Sequence, residues 1–413
     1  MVTSIGARAL TSLSPLLLVP ITYDYLGTER YGLWMAITSV TSMFLWADLG
    51  LGNTLMTRLT PLLARDQLEE GSAIVAAAYR LLGRVAAAGL ALLTIALFVL
   101  PWGALFNATS SADARAIAGV TLAAFIVNIP LALIHRVLFA QQRVPRSNLI
   151  NVIGASAALG LGAATVALDA PGLLVIAVVV AAPVAANAGA TAVWLTRTTW
   201  ARLTWKRSPD DRGLISTGLR FVLIGVMTAL ALNADYLIVA HTQSVEDVAA
   251  YSVVYRVFLA LGILVTVVNL PLWPANADAL ARGDRPWVMS TTRKMMLLSG
   301  GATIAAGVLL IGCSGWIFPA LSGGEVEAAL PMTLGLTMFY ALLAVASPLF
   351  MVQNAAAVLR PQTVGWGLFL ASSVPIKLAV SEHAGPEWLP ATSVALYALI
   401  VLPSAWVGFT RST

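Results

Sequence analysis

The chain is poor in charge. Of its 413 residues only 10% are Asp, Glu, Lys or Arg, while 59% are hydrophobic. Soluble domains carry about 25% charged residues, so this composition cannot clothe a water-facing surface. A single cysteine, Cys313, excludes an internal disulfide framework. The three histidines, His135, His241 and His383, are too scattered for a metal site or a recognisable catalytic group. There is no G-x-x-x-x-G-K-[ST] phosphate loop, which excludes ATP hydrolysis by that fold. No cofactor is expected, and no connection between apolar runs is long enough to house an enzyme's nucleotide-sugar site. The net charge of +5 does not indicate nucleic-acid binding, because the basic residues lie in short segments between apolar runs.

What the chain has in abundance is long apolar runs. About 20 apolar residues span a bilayer core at 1.5 Å rise per residue. This criterion predicts spans at 4–23, 32–54, 80–103, 116–140, 148–168, 172–195, 214–235, 247–273, 295–319, 331–356, 363–382 and 388–409. The expected fold is all-α, a polytopic membrane protein of about 12 transmembrane helices. The first run is followed by many others and reads as a retained span, not a cleaved signal peptide.

Alternate loops differ in sign. One set carries Arg58 and Arg65; Arg143 and Arg146; Arg197, Arg202, Lys206, Arg207 and Arg212; Arg282, Arg285, Arg293 and Lys294; Arg360; and Arg411. The other set is acidic, with Asp24 and Glu29, Asp113, Asp169, Glu246 and Asp247, Glu325 and Glu327, Glu382 and Glu387. Basic loops are retained in the cytoplasm, so both termini are expected inside. Arginine heavily outnumbers lysine and alanine is abundant, which hints at a GC-rich bacterial genome.

The longest basic loop divides the spans into two groups. The resulting organisation is an N-terminal six-helix lobe over 1–195, a cytoplasmic linker over 196–213 and a C-terminal six-helix lobe over 214–413. Short matches in the same order suggest a duplication: "SIGARAL" with "STGLRFV", and "LARD" with "LARGD". With an even number of spans per half, the lobes have the same orientation and are related by an axis along the membrane normal, around a central cavity.

Ionisable residues inside spans are costly and point to function. Counting from the nearest loop puts Arg8 and Arg220 roughly 6–10 Å inside the cytoplasmic boundary and Arg256 roughly 13 Å from the outer end of its span. Asp48 lies near the cytoplasmic end of the second span, where Arg58 is a candidate partner. Lys377 is in the outer half of its span, with Glu382 within snorkelling reach, and Asp235 is near an outer end. Arg80, Arg84 and Arg136 are near enough to the cytoplasmic headgroups to snorkel. Asn128, Asn187 and Asn233 read first as helix-packing hydrogen bonds. Arginines outnumber deep carboxylates, so the cavity is expected to be cationic and to suit phosphate. Pro15, Pro20, Pro130, Pro271, Pro274 and Pro348 are candidate kinks.

The stretch "YLGTERYGLWMAITSVTSMFLWADLGLGN" from Tyr25 to Asn53 resembles a signature of bacterial polysaccharide-biosynthesis membrane proteins. These are the O-antigen-type flippases of the multidrug/oligosaccharidyl-lipid/polysaccharide exporter (MOP) superfamily. Leu26, Gly27, Tyr31 and Gly32 match its first part, and Asp48 to Gly52 match its second. "NADYLIVAHTQSVEDVAAYSVVYRV" and "LPLWPANADALARGD" are similar to the corresponding hairpin and cytoplasmic segment of the second half, with Ala250 where the family usually has glycine.

The resemblance implies alternating-access flipping of a polyprenyl-pyrophosphate-linked oligosaccharide across the bacterial cytoplasmic membrane, for surface polysaccharide biosynthesis. It also implies a possible H+ or Na+ coupling ion, and a polysaccharide polymerase as a partner. The expected headgroup contacts are Arg256, Arg220, Arg8 and Lys377. The expected gating ion pair draws on Asp48, Arg58 and Asp235, and the hinge glycines are Gly27, Gly32, Gly50 and Gly52. The alternative is an ion-coupled multidrug antiporter of the same superfamily, which predicts dominant acidic residues in the lumen.

Overall fold

The computed structural model describes residues 18–413 apart from 19–20, 24, 28, 39–40, 42–47, 107, 199–210, 244 and 323–326. All regular structure among them is helical. Among the described residues nine helices are long and apolar enough to cross a membrane, and a shorter apolar stretch, Tyr251–Thr266, adds to them. The chain is a multi-pass, all-α membrane protein. Leu92, Phe98, Leu237 and Leu297 are each about two-thirds or more exposed, an apolar exterior that only lipid tolerates.

The chain forms two compact units, Met1–Gly218 and Leu219–Thr413. Unit 1 contains α1 (Leu51–Ala64), α2 (Leu68–Val99), α3 (Ser111–Leu131), α4 (Leu133–Ala140), α5 (Val144–Ala167) and α6 (Gly172–Arg197). The next helix, α7 (Asp211–Thr242), begins in unit 1 and continues into unit 2. Unit 2 adds α8 (Val245–Asn269), α9 (Leu272–Ala281), α10 (Arg285–Gly312), α11 (Leu330–Ala355) and α12 (Arg360–His383). It ends in α13 (Leu389–Leu396) and α14 (Leu402–Ser412), joined through a π turn at Tyr397–Val401.

Two expectations need correction. The span predicted over 32–54 is broken by a turn, Asp48–Gly50, and α1 starts afresh at Leu51. The basic loop placed after it is largely helical, because α2 starts at Leu68 and not near residue 80. At 32 residues, α2 is about 48 Å long and outruns the hydrocarbon core. Hydropathy marks only the lipid-facing part of a helix, so a polar extension such as "LEEGSAIVAAAYR" escapes it.

Local chemistry sets the ends. The Ser110 hydroxyl accepts from the Asp113 amide at the start of α3, and the Asp284 carboxylate accepts from the Trp287 amide at the start of α10. Pro130 lies two residues before the Ala132 break between α3 and α4, and Pro271 marks the junction of α8 and α9. Pro274 stands in the first turn of α9, while α11 carries Pro348 without interruption.

Unit 1 holds two apolar clusters, one around Leu51, Leu55, Leu82 and Ile134 and another around Trp34, Ile37, Ile117 and Val175. In unit 2, Val239, Phe258, Phe318 and Leu389 pack with α11, the most buried of the candidate spans. Lipid removes most of the hydrophobic drive between helices, so close approach matters. Gly300 and Gly307 on α10 face Val345 and Thr337 on α11 closely enough that an added Cβ would overlap them.

Candidate functional site

The Glu29-Arg30 pair ties the start of the helical stretch 29–38 to the N-terminal end of α3. Glu29 Oε1 accepts from the Thr109 amide at 2.7 Å, and Arg30 Nε lies 2.8 Å from Asp113 Oδ2. Hydrogen bonds from the Thr109 side chain and then its amide hold the Glu29 carboxyl below its ordinary value. The Tyr25 hydroxyl donates to the Ala170 carbonyl at 2.7 Å. These contacts fix where the helical stretch 29–38 enters unit 1.

Asp48 organises a turn. Its Oδ1 accepts from the Gly50 amide at 2.9 Å and its Oδ2 from the Gly52 amide at 3.3 Å, covering free N–H groups at the start of α1. The cation in its field is Arg136 of α4. Both side chains converge on Gly52, where a Cβ would come 2.8 Å from Asp48 Oδ2 and 3.1 Å from Arg136 Nε. Arg58 stands two turns along α1. Arg136 departs from the snorkelling expectation, because it is partly buried beside Asp48. Arg80, 3% exposed, is likewise buried and does not snorkel, whereas Arg84 is exposed.

Of the four expected hinge glycines, two are backbone-determined in a simple sense. Gly27 and Gly50 have φ of +74° and +67°, a region L side chains disfavour. At Gly50 a Cβ would also overlap the Gly218 carbonyl of α7, within unit 1. Gly32 sits in helix with open space around it.

Unit 1 encloses a cavity of about 610 Å³. Tyr31, Trp34 and Thr38 of the helical stretch 29–38 line it together with Thr41, and with Thr121 and Asn128 of α3, Asn151 of α5 and Asn187 of α6. Among its described lining residues none is Asp, Glu, Lys, Arg or His. One wall is a hydrogen-bonded chain: Asn187 Nδ2 donates to Asn128 Oδ1 at 2.8 Å, and Asn187 Oδ1 is 2.9 Å from His135 Nε2. With the amide so oriented, Nε2 carries the proton and Nδ1 meets Ser147 Oγ at 2.8 Å. The buried Trp34 Nε1–H and Thr121 hydroxyl have no protein partner. Such orphans call for a polar occupant. Asn128 and Asn187 are therefore both helix-packing groups and cavity groups. Sequence reasoning missed Trp34, Thr121 and Asn151. The available signal was the spacing of Tyr31, Trp34, Thr38 and Thr41, which gives an apolar run one polar and aromatic face.

Unit 2 holds a buried ion pair. Lys377 Nζ of α12 lies 2.6 Å from Asp235 Oδ1 of α7, with side chains only 2% and 6% exposed. The Tyr251 hydroxyl donates to Asp235 Oδ2 at 2.9 Å. Tyr251 stacks on Tyr255, whose hydroxyl donates to the Leu232 carbonyl. Lys377 thus finds its anion inside the helix bundle and not at Glu382, and its ammonium is already neutralised. Nearby, Thr242 Oγ1 and Ser381 Oγ lie 2.6 Å apart. A second neutral cavity of about 510 Å³ is lined by Thr228, Tyr340, Ser347, Asn354, Gln362 and Tyr397. Arg220 and Arg256 are exposed within their helices, and Arg256 interacts with Tyr236. Arg8, with Pro15 and Pro20, falls outside the described residues.

Comparison with known proteins places the fold. No family model matches the chain. A "Putative O-antigen export protein" of Yersinia pseudotuberculosis is 22% identical over 285 residues; the match covers 67% of this chain and 64% of that protein's length. Among solved structures, a multidrug resistance MATE family transporter of the MOP superfamily in an outward-facing conformation has a TM-score of 0.73 at 15% identity. It covers 99% of this chain and 92% of its own. The bent form of a Vibrio cholerae MATE transporter gives 0.72 at 14% identity, covering 99% and 96%. A MOP superfamily transporter from Pyrococcus furiosus, described as having a binding pocket of reverse polarity, gives 0.73 at 16% identity, covering 100% and 93%.

Proposed function

We propose that this chain, built on the fold shared with MOP superfamily transporters, is a flippase for a lipid-linked oligosaccharide. It moves a polyprenyl-pyrophosphate-linked repeat unit across the bacterial cytoplasmic membrane by alternating access, with both termini on the cytoplasmic side.

The observation that carries this reading is the chemistry of the unit 1 cavity. Amides and hydroxyls that both donate and accept, beside the faces of Tyr31 and Trp34, suit a sugar's hydroxyls and C–H face. An organic cation would call for a carboxylate, and none is among the described lining residues. The volume, about 610 Å³, is within the usual range for small-ligand sites. Similarity to an O-antigen export protein over two-thirds of the chain agrees with the same substrate class.

The exposed Arg220 and Arg256, with Arg8, are assigned to the pyrophosphate, which arginine's planar fork suits. Lys377 is assigned to its ion pair with Asp235 instead of the headgroup. Asp48, with Arg136 as its cation, is the proposed gating pair. A proton or sodium gradient is the proposed energy source, and a polysaccharide polymerase the proposed partner.

The test is translocation in proteoliposomes containing a fluorescent polyprenyl-pyrophosphate oligosaccharide, with a lipophilic cation in parallel vesicles. The glycolipid is expected to move and the cation to stay. Trp34→Ala and Asn187→Leu should each lower the initial rate by roughly tenfold, the loss of about one hydrogen-bond or stacking contribution. Movement of the cation without the glycolipid would sink the proposal and favour the multidrug antiporter.

A further inference from the structure

The back of the α5–α6 pair carries a second feature, separate from the glycan cavity. A groove of about 760 Å³ runs between α4, α5 and α6. Its floor is made of small residues on α6, Ala182, Ala185, Ala186, Gly189 and Ala190, and its wall of Leu149, Ile153 and Leu161 on α5. The three wall residues are each more than half exposed. Along α6 the lining runs from Ala182 to Arg197, about 22 Å, more than one leaflet's share of a hydrocarbon core roughly 30 Å thick.

One end of the groove is cationic. The start of α5 lies beside the end of the antiparallel α6, so Arg143 and Arg146 line the same end as Arg197. All three are exposed, and among the described residues no ion pair engages any of them. No carboxylate is among the groove's described lining residues. Arg143 and Arg146 also stand at a helix N-terminus, where the dipole favours an anion and opposes a cation. Trp194 closes the floor one turn from Arg197, the position of an aromatic residue at a membrane interface.

We propose that this groove binds an anionic phospholipid of the bilayer, with an acyl chain along the small-residue face of α6 and the phosphate held by Arg143, Arg146 and Arg197. Basic pockets between helices at a membrane surface recognise such headgroups, and arginine's fork suits a phosphate. The carrier lipid of a substrate is a poorer match. At Gly154 the seam between α5 and α6 is tight, since a Cβ there would come 3.0 Å from Pro183 Cα, which leaves no gap at that point for a tail from the glycan cavity. The site stands whether or not the flippase reading does.

Native mass spectrometry of the full chain, delipidated in detergent, tests it with phosphatidylglycerol, phosphatidylcholine and a polyprenyl phosphate. Phosphatidylglycerol should bind more tightly than phosphatidylcholine, and R143Q/R146Q/R197Q should weaken it on the order of 100-fold. Gly189→Phe should also weaken it while leaving the melting temperature intact, because nothing lies within 4 Å of a Cβ at Gly189. Three outcomes overturn the proposal: equal binding of both phospholipids, an unaffected triple variant, or unaffected Gly189→Phe binding. Dependence of the polyprenyl phosphate alone on these residues would overturn the assigned occupant.

Discussion

The Asp235–Lys377 pair shows how far a single residue's role depends on its partner. Each charge by itself is expensive inside a membrane span, and read alone each suggests a substrate contact. At 2.6 Å, with Tyr251 donating to the other carboxylate oxygen, they satisfy one another. Removing one partner leaves an uncompensated buried charge, which costs about 3–5 kcal/mol, while replacing both with apolar groups of similar volume is close to neutral. Asp235→Leu and Lys377→Met are therefore each expected to lower thermal stability in detergent sharply, and the double variant to recover most of the loss. Additive losses would show that the two side chains are stabilised by other groups. Arg30 and Asp113 make the opposite case. That pair is half exposed, and contributes at most about 1 kcal/mol.

At the scale of the element, the turn Asp48–Gly50 decides where α1 begins. Leu49 and Gly50 both have positive φ, at 51° and 67°, and Asp48 covers the amides that follow. Gly50 has the further duty of admitting the Gly218 carbonyl. Gly50→Ala should destabilise the protein by more than the 1–2 kcal/mol or so of a left-handed L residue, because the overlap adds to it. Gly32→Ala, in open helix, should be neutral or stabilise by up to about 1 kcal/mol. Thermal melts of the two variants side by side check this, and equal shifts would contradict it. The motif's glycines look alike in sequence. Only their φ angles and neighbours separate them.

For the molecule as a whole, alternating access predicts that the unit 1 cavity changes its exposure with substrate. Asn151 lines that cavity and is exposed, and Cys313 is the only native thiol. Asn151→Cys in a Cys313→Ser background should react readily with a membrane-impermeant maleimide, and slow several-fold when the lipid-linked oligosaccharide is bound. Labelling indifferent to the glycolipid would argue against the cavity as its site.

Composition and the length of the apolar runs determined the all-α membrane class, because a chain this poor in charge has no other way to satisfy its backbone in lipid. The sequence also marked the residues of consequence: Asp48, Asp235, Lys377, Asn128 and Asn187 all stood out as polar groups in apolar surroundings. Their partners were not legible. Asp48 and Arg136, 88 positions apart, converge on Gly52, and Lys377 joins Asp235 across 142, distances over which periodicity carries no information. The neutral cavity and the arginine-ended groove were equally hidden, since each is space left between helices, and helix packing alone decides which faces enclose it.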